Sequence, residues 1–331
     1  MTSNFNTSRR CKSDSGRTEV VRAFATDHGH DFVRGAQSQL TTEAEHFPHQ
    51  AEPGDEVNHI EETVTARDGL RIYVRRHEVD NPRAYVIVAH GFGEHSGRYE
   101  AVSEHLALNR YSVVSYDHRG HGLSDGLPGH VESFDEYEDD LDKIVGSIRA
   151  RIQNRLFLIA HSMGGLIALR YVARKNSELA GVIVSAPLIE VAVPVPVHKL
   201  MIAKVGARMA PRLRLDNEID PAVLSRDPEV GRAYANDPLV NRKVSTKWFA
   251  EATRAMAEVA GSGPLITTPI LIMHGTEDKL ASVDATKRLF ERIGSSDKEL
   301  VIYPGFYHEL FNEPDKQEIF DRVTDWLDKR A

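Results

Sequence analysis

The chain has 331 residues, 41% of them hydrophobic, and a formal net charge of −8. That length holds one α/β domain of about 200–250 residues plus added segments, and an acidic balance without a basic stripe argues against nucleic acid as a partner. Cys11 is the only cysteine, which excludes an internal disulfide and fits a reducing compartment.

Residues 1–55 are rich in Ser, Thr, His, Gln and mixed charge, and no apolar period outlasts one helical turn. We expect a flexible arm there. If it instead folds over the body or a partner subunit, Val20, Val21, Phe24 and Phe32 are its anchors. His28 and His30 have the spacing of half a metal site, but no further ligand stands nearby and no metal is expected. Arg9, Arg10 and Lys12 are followed by no apolar run, so no secretory signal is expected. No stretch reaches the roughly 20 apolar residues that span a bilayer. A soluble, cytoplasmic protein is the expectation.

From His59 the chain becomes regular. Segments 59–66 and 71–79, joined by Arg67-Asp68-Gly69, read as an antiparallel hairpin. The runs 84–89, 111–116, 156–160, 179–185, 270–273 and 300–303 are short and continuously apolar, as expected of strands buried on both faces. Helical periods fill the gaps at 99–108, 135–151, 164–175, 284–293 and 316–330. Alternation of this kind implies a mostly parallel sheet with helices on both faces. One interval breaks it. Between Pro187 and Gly263 no strand is evident. Val197, Leu200, Met201, Val205 and Met209 have helical spacing, and 247–259 is a second helical candidate. We expect a helical insertion above the strand ends, where ligands enter open α/β sheets.

The apolar run 156–160 leads directly into His161-Ser162-Met163-Gly164-Gly165 and then into a helix. A Ser on such a strand-turn-helix elbow stands clear of the sheet and can act as a nucleophile, given a base. The G-x-S-x-G pattern has Ala160 at its first position here, a difference of one methyl. Two late strands carry partners in the order acid then base. One leads into His274-Gly275-Thr276-Glu277-Asp278, the other into Pro304-Gly305-Phe306-Tyr307-His308. His308 is the expected base and Asp278 its orienting carboxylate. Glu277 is the rival acid, and His274 reads as structural. The expected oxyanion donors are the backbone N–H groups of Met163 and Phe92, the latter in the glycine-rich loop His90-Gly91-Phe92-Gly93.

Three segments together carry a resemblance. His90-Gly91-Phe92-Gly93-Glu94-His95-Ser96-Gly97-Arg98-Tyr99, Asp117-His118-Arg119-Gly120-His121-Gly122-Leu123-Ser124 and the Ser162 elbow resemble the signatures of monoacylglycerol lipases and related lysophospholipase-like serine hydrolases. The resemblance covers residues 58–330. It implies an α/β-hydrolase fold with an eight-stranded, mostly parallel sheet and a helical cap after the sixth strand. The chain then divides into the arm 1–55, core 56–187, cap 188–263 and core 264–331. It implies an ester hydrolase needing neither metal nor cofactor, a single-chain lipid ester as substrate, and peripheral membrane contact through the cap. Glu94 and Arg98 fall where the family holds the glycerol head; an ion pair bracing the loop is the other reading. Phe311 stands about where some relatives have a polar residue. Two alternatives stay open: a broader carboxylesterase or lysophospholipase with the same side chains, and a silent hydrolase fold that only binds ligand.

Overall fold

The computed structural model describes residues 57–331 except 176–177, 194–200 and 202–204, together with the backbone of one strand, β1 (Glu19–Ala23). His28, His30, Phe24 and Phe32 lie outside the described residues.

The strands β2 (Asn58–Thr65) and β3 (Arg71–Glu78) form the expected antiparallel pair. After them come β4 (Ala84–Ala89), α1 (Glu100–Leu108), β5 (Tyr111–Tyr116), α2 (Asp135–Arg149), β6 (Arg155–His161), α3 (Met163–Arg174) and β7 (Gly181–Ser185). An insertion follows, and then β10 (Ile270–Gly275), α6 (Val283–Arg292), β11 (Lys298–Tyr303) and α7 (Lys316–Asp328) close the chain. The sheet order is β1-β11-β10-β7-β6-β4-β5-β3-β2. All pairs from β5 to β11 are parallel, whereas β2, β3 and β1 join antiparallel. Eight strands come from the regular part of the chain; β1 makes nine by pairing with β11 along the edge.

Two apolar layers enclose the sheet. One face packs α2, α3 and α6 through Leu141, Ile144, Leu166, Leu169 and Leu289. The other packs α1 and α7 through Val102, Leu106, Ile319, Val323 and Trp326. Burial on both faces is why β4 through β7 read as unbroken apolar runs. From β4 the chain turns to β5 on one side, then crosses back to β6 on the other. The strand order therefore reverses between β4 and β6, the point beyond whose carboxyl ends open α/β sheets bind ligands.

The insertion between β7 and β10 holds a short antiparallel pair, β8 (Arg214–Asp216) and β9 (Lys243–Ser245), with α4 (Pro228–Asn236) and α5 (Thr246–Gly261). The strand pair was not legible in sequence. Three residues per strand, with β8 wholly exposed, leave no periodic signal. Helical backbone also covers 205–209. Met201, Val205 and Met209 are solvent-exposed, with Met209 at 81%. Val197 and Leu200 lie outside the described residues. Among those described, no helix is long and apolar enough to cross a membrane.

Candidate active site

Ser162 separates β6 from α3 with φ 51° and ψ −111°, a conformation that costs a non-glycine residue about 1–3 kcal/mol. The elbow is held from outside. The Ser162 N–H donates to the Ser185 carbonyl at 3.0 Å, and the Ser162 carbonyl accepts from Leu166 and Leu188. Gly164 explains the need for small neighbours: a Cβ there would stand 2.4 Å from the Ala89 carbonyl oxygen and 2.6 Å from that of His90. Both obstacles are backbone, so neither can rotate away. Gly164→Ala should force the elbow off β4 and lower stability by about 1–3 kcal/mol, with a larger loss of activity. Thermal unfolding beside an esterase assay checks this, and an unchanged melting point would contradict the packing.

His308 follows β11 and is buried. The Ser162 hydroxyl lies 3.0 Å from its Nε2, and its Nδ1–H donates to Asp278 Oδ2 at 2.7 Å. A carboxylate only accepts, which fixes the proton on Nδ1 and leaves Nε2 free to accept from the serine. Asp278, just after β10, is also buried. Its Oδ1 accepts the N–H groups of Leu280 and Ala281, and its Oδ2 also accepts from His274 Nε2 at 3.0 Å. Burial pushes the Asp278 carboxyl up, but the His308 charge and the imidazole hydrogen bonds overcome this and hold it far below the usual carboxylate range. For His308, burial disfavours the cation, while the charge and hydrogen bond of Asp278 outweigh it and raise the pKa above its ordinary 6.5. The rival Glu277 is exposed and pairs with Lys279 instead. His274, read as structural in sequence, is buried and spans Asp278 and Thr286.

The loop after β4 runs alongside this group. A Cβ added to Gly91 would lie 3.2 Å from Ser162 Cβ, so this backbone passes directly against the serine. Its shape is set by buried imidazoles. His90 donates through Nδ1 to the Gly91 carbonyl at 2.7 Å, and its Nε2 accepts from the His118 N–H at 2.9 Å. Burial pushes His118 down to about 3 and His121 to about 4, so both stay neutral near pH 7. Asp117 accepts from the Ser96 and Leu123 N–H groups and ties this loop to the next. The second sequence signature is thus a brace. The Phe92 ring stacks on Trp248 of α5 at 4.2 Å, and Met163 is the first residue of α3, whose N–H has no partner within the helix.

Glu94 and Arg98 do meet, but with a third member. Arg98 donates to Glu94 Oε2 at 3.1 Å and to Glu309 Oε2 at 2.5 Å, and its guanidinium lies over the Tyr234 ring. Glu94 Oε1 accepts from the Gly91 N–H at 2.6 Å and the Tyr99 hydroxyl at 2.7 Å. Two buried carboxylates therefore share one guanidinium. Burial, reinforced by the Glu309 charge, pushes the Glu94 carboxyl up against the pull of Arg98. Phe311, where some relatives have a polar residue, is buried against Tyr99 with ring centroids 6.0 Å apart. Sequence reasoning missed Glu309 and also Glu313. Buried Glu313 accepts from the Tyr307 N–H on one oxygen and from Arg226 of the insertion on the other. The only signal for either was a run of acids after the expected base.

A serine, a histidine and a buried aspartate linked in series at the carboxyl edge of this sheet define a serine hydrolase of the α/β-hydrolase fold. The comparisons agree. The family profile described as serine aminopeptidase, S33 (Hydrolase_4) matches residues 80–315, and the chain belongs to that family. It is 37% identical over 253 residues to a monoacylglycerol lipase of Mycolicibacterium smegmatis, covering 75% of this chain and 89% of the relative. It is 33% identical to human monoglyceride lipase, covering 80% and 89%, and 31% identical to the phospholipase YtpA of Bacillus subtilis, covering 76% and 98%. The crystal structure of the Paleococcus ferrophilus monoacylglycerol lipase superposes with a TM-score of 0.73 at 32% identity, over 78% of this chain and 99% of the other. The protein is a serine hydrolase that cleaves carboxylic esters.

Proposed function

We propose that the protein is a monoacylglycerol lipase that releases glycerol and a fatty acid. Ser162 Oγ attacks the ester carbonyl as His308 Nε2 takes its proton, and Asp278 stabilises the imidazolium. The N–H groups of Met163 and Phe92 hold the oxyanion. His308 returns the proton to the departing glycerol oxygen. Water, deprotonated by His308, then attacks the acyl-serine, and the fatty acid leaves as Ser162 regains its proton. No metal or cofactor takes part.

The observation that carries the choice of head group is the buried Glu94–Arg98–Glu309 set. It places two carboxylates against one cation near His308. An uncharged glycerol can hydrogen-bond to such a set, whereas a phosphate would meet unbalanced negative charge. Glu94 and Arg98 are the proposed contacts to the glycerol head.

We take residues 188–263 as a lid over the acyl chain. Asn241 donates to the Gly93 carbonyl at 2.7 Å, and Asp237 accepts from His95 at 2.9 Å, so this segment rests on the loop beside Ser162. Its exposed Met201, Val205, Met209, Leu213 and Leu215 suit contact with a lipid surface. We propose on this basis a cytoplasmic protein that works at a membrane periphery.

Hydrolysis of C12–C18 monoacylglycerols, lysophosphatidylcholine of matched chain length and short p-nitrophenyl esters tests the reading. The expected order by kcat/KM is monoacylglycerol first, with lysophosphatidylcholine more than about tenfold slower, a difference of 1.4 kcal/mol. Equal rates on glycerol and phosphocholine heads would favour the lysophospholipase reading instead. The presence of all three proposed catalytic side chains weighs against a silent fold, and a fluorophosphonate probe that fails to label the protein would restore it.

A further inference from the structure

Strands β2 and β3 and the start of α1 bring together two imidazoles and a carboxylate outside the ester-cleaving set. His59 and His77 are direct partners in the β2–β3 register. Their rings meet edge to face at 4.6 Å, and both face Glu100, the first residue of α1. His77 Nε2 lies 2.9 Å from Glu100 Oε1, and His59 Nδ1 lies 4.0 Å from the same oxygen. The three donor atoms all fall within 4.8 Å of one another.

From this geometry we propose that His59, His77 and Glu100 form a binding site for a divalent transition metal of the zinc type. Two imidazole nitrogens and one carboxylate oxygen are the donor set of a four-coordinate zinc with one water. In such a site, with bonds of about 2.0–2.2 Å, donors stand about 3.3–3.5 Å apart. The observed 2.9 and 4.0 Å bracket that separation. Two of the three ligands are already set: His77 is fully buried in the sheet and Glu100 is anchored in a helix, with Arg75 on its second oxygen at 3.3 Å. Only His59, whose side chain is 55% exposed, must swing inward. The proton that His77 now shares with Glu100 gives way to the metal. With the metal on Nε2, the ring's remaining proton sits on Nδ1, which is buried without a partner. The ion would join the outer hairpin to the start of α1, which directly follows the Arg98–Tyr99 stretch of the active-site loop. The site is independent of the substrate assignment.

The test uses the full chain, stripped with chelator and titrated with zinc alone, followed by calorimetry and thermal unfolding. The expected result is one equivalent bound with a higher melting point. His59→Ala and Glu100→Gln should each weaken binding more than the roughly 10–100-fold that loss of an outer-shell partner costs. Both should keep esterase activity, since neither residue touches Ser162, His308 or Asp278. Cobalt should give the visible absorption of a four-coordinate ion in the unaltered protein and lose it in His59→Ala. Zinc binding that persists undiminished in both variants would place the metal elsewhere and overturn the proposal. So would no change in melting point with zinc in large excess.

Discussion

Ser162→Ala should lower kcat for a p-nitrophenyl ester by about a million-fold, the scale seen when the nucleophile of a serine hydrolase is removed. The loss is chemical and not structural. The hydroxyl contacts His308 Nε2 at 3.0 Å, while the backbone bonds to Ser185, Leu166 and Leu188 hold the elbow whatever the side chain. Alanine tolerates φ 51° about as poorly as serine does, so the strain is carried by both proteins. The melting point should therefore stay within a few degrees, and labelling by a fluorophosphonate should vanish. Turnover within about tenfold of the unaltered protein, or a label retained on another residue, would remove Ser162 from its proposed role.

The same dependence on geometry explains what the sequence could reveal. The runs 84–89, 111–116 and 156–160 were legible because strands covered on both faces select apolar residues at every position. Ser162, Asp278 and His308 could be proposed from sequence because each lies in the turn or loop after a core strand, and parallel strands bring those ends to one rim. Side chains recruited across the chain left no such mark. Glu309 gains its meaning only when Arg98, 211 positions earlier, reaches it. Glu313 gains its meaning from Arg226, in a segment whose fold has little periodicity. The strand β1 was not read from sequence, where Val20 and Val21 figured only among four anchors of an arm, because a single edge strand needs β11 beside it before its pattern means anything.

Those recruited residues also connect two parts of the molecule. The Tyr307 N–H, next to His308, is held by Glu313, which is in turn bound by Arg226 of the insertion. The Glu309 N–H donates to Leu224 of the same insertion at 2.8 Å. The loop bearing the proposed base is therefore fastened to the proposed lid on both sides of His308. Asn241 and Asp237 fasten the same insertion to the loop of Phe92. The insertion therefore contacts the loops on both sides of Ser162.

Asp278→Asn should cost about 10⁴-fold in kcat while the protein stays folded, and the reason lies in the four donors around this side chain. Oδ1 faces the N–H groups of Leu280 and Ala281, and Oδ2 faces the imidazoles of His308 and His274. An asparagine must turn its NH₂ toward one pair. Backbone N–H groups cannot become acceptors, but imidazoles can, by moving a proton to the other ring nitrogen. The NH₂ therefore turns to the imidazoles. His308 then accepts at Nδ1 and carries its proton on Nε2, which points at Ser162 and can no longer take the serine's proton. The pH profile separates this from simple loss of structure. In the unaltered protein kcat/KM should fall as pH drops through the His308 pKa, above 6.5, because protonation removes the base. In Asp278→Asn the charge that raised that pKa is gone, so the midpoint of the residual activity should move to lower pH. An unchanged midpoint, or a loss of less than about tenfold, would show that Asp278 neither orients nor charges the imidazole.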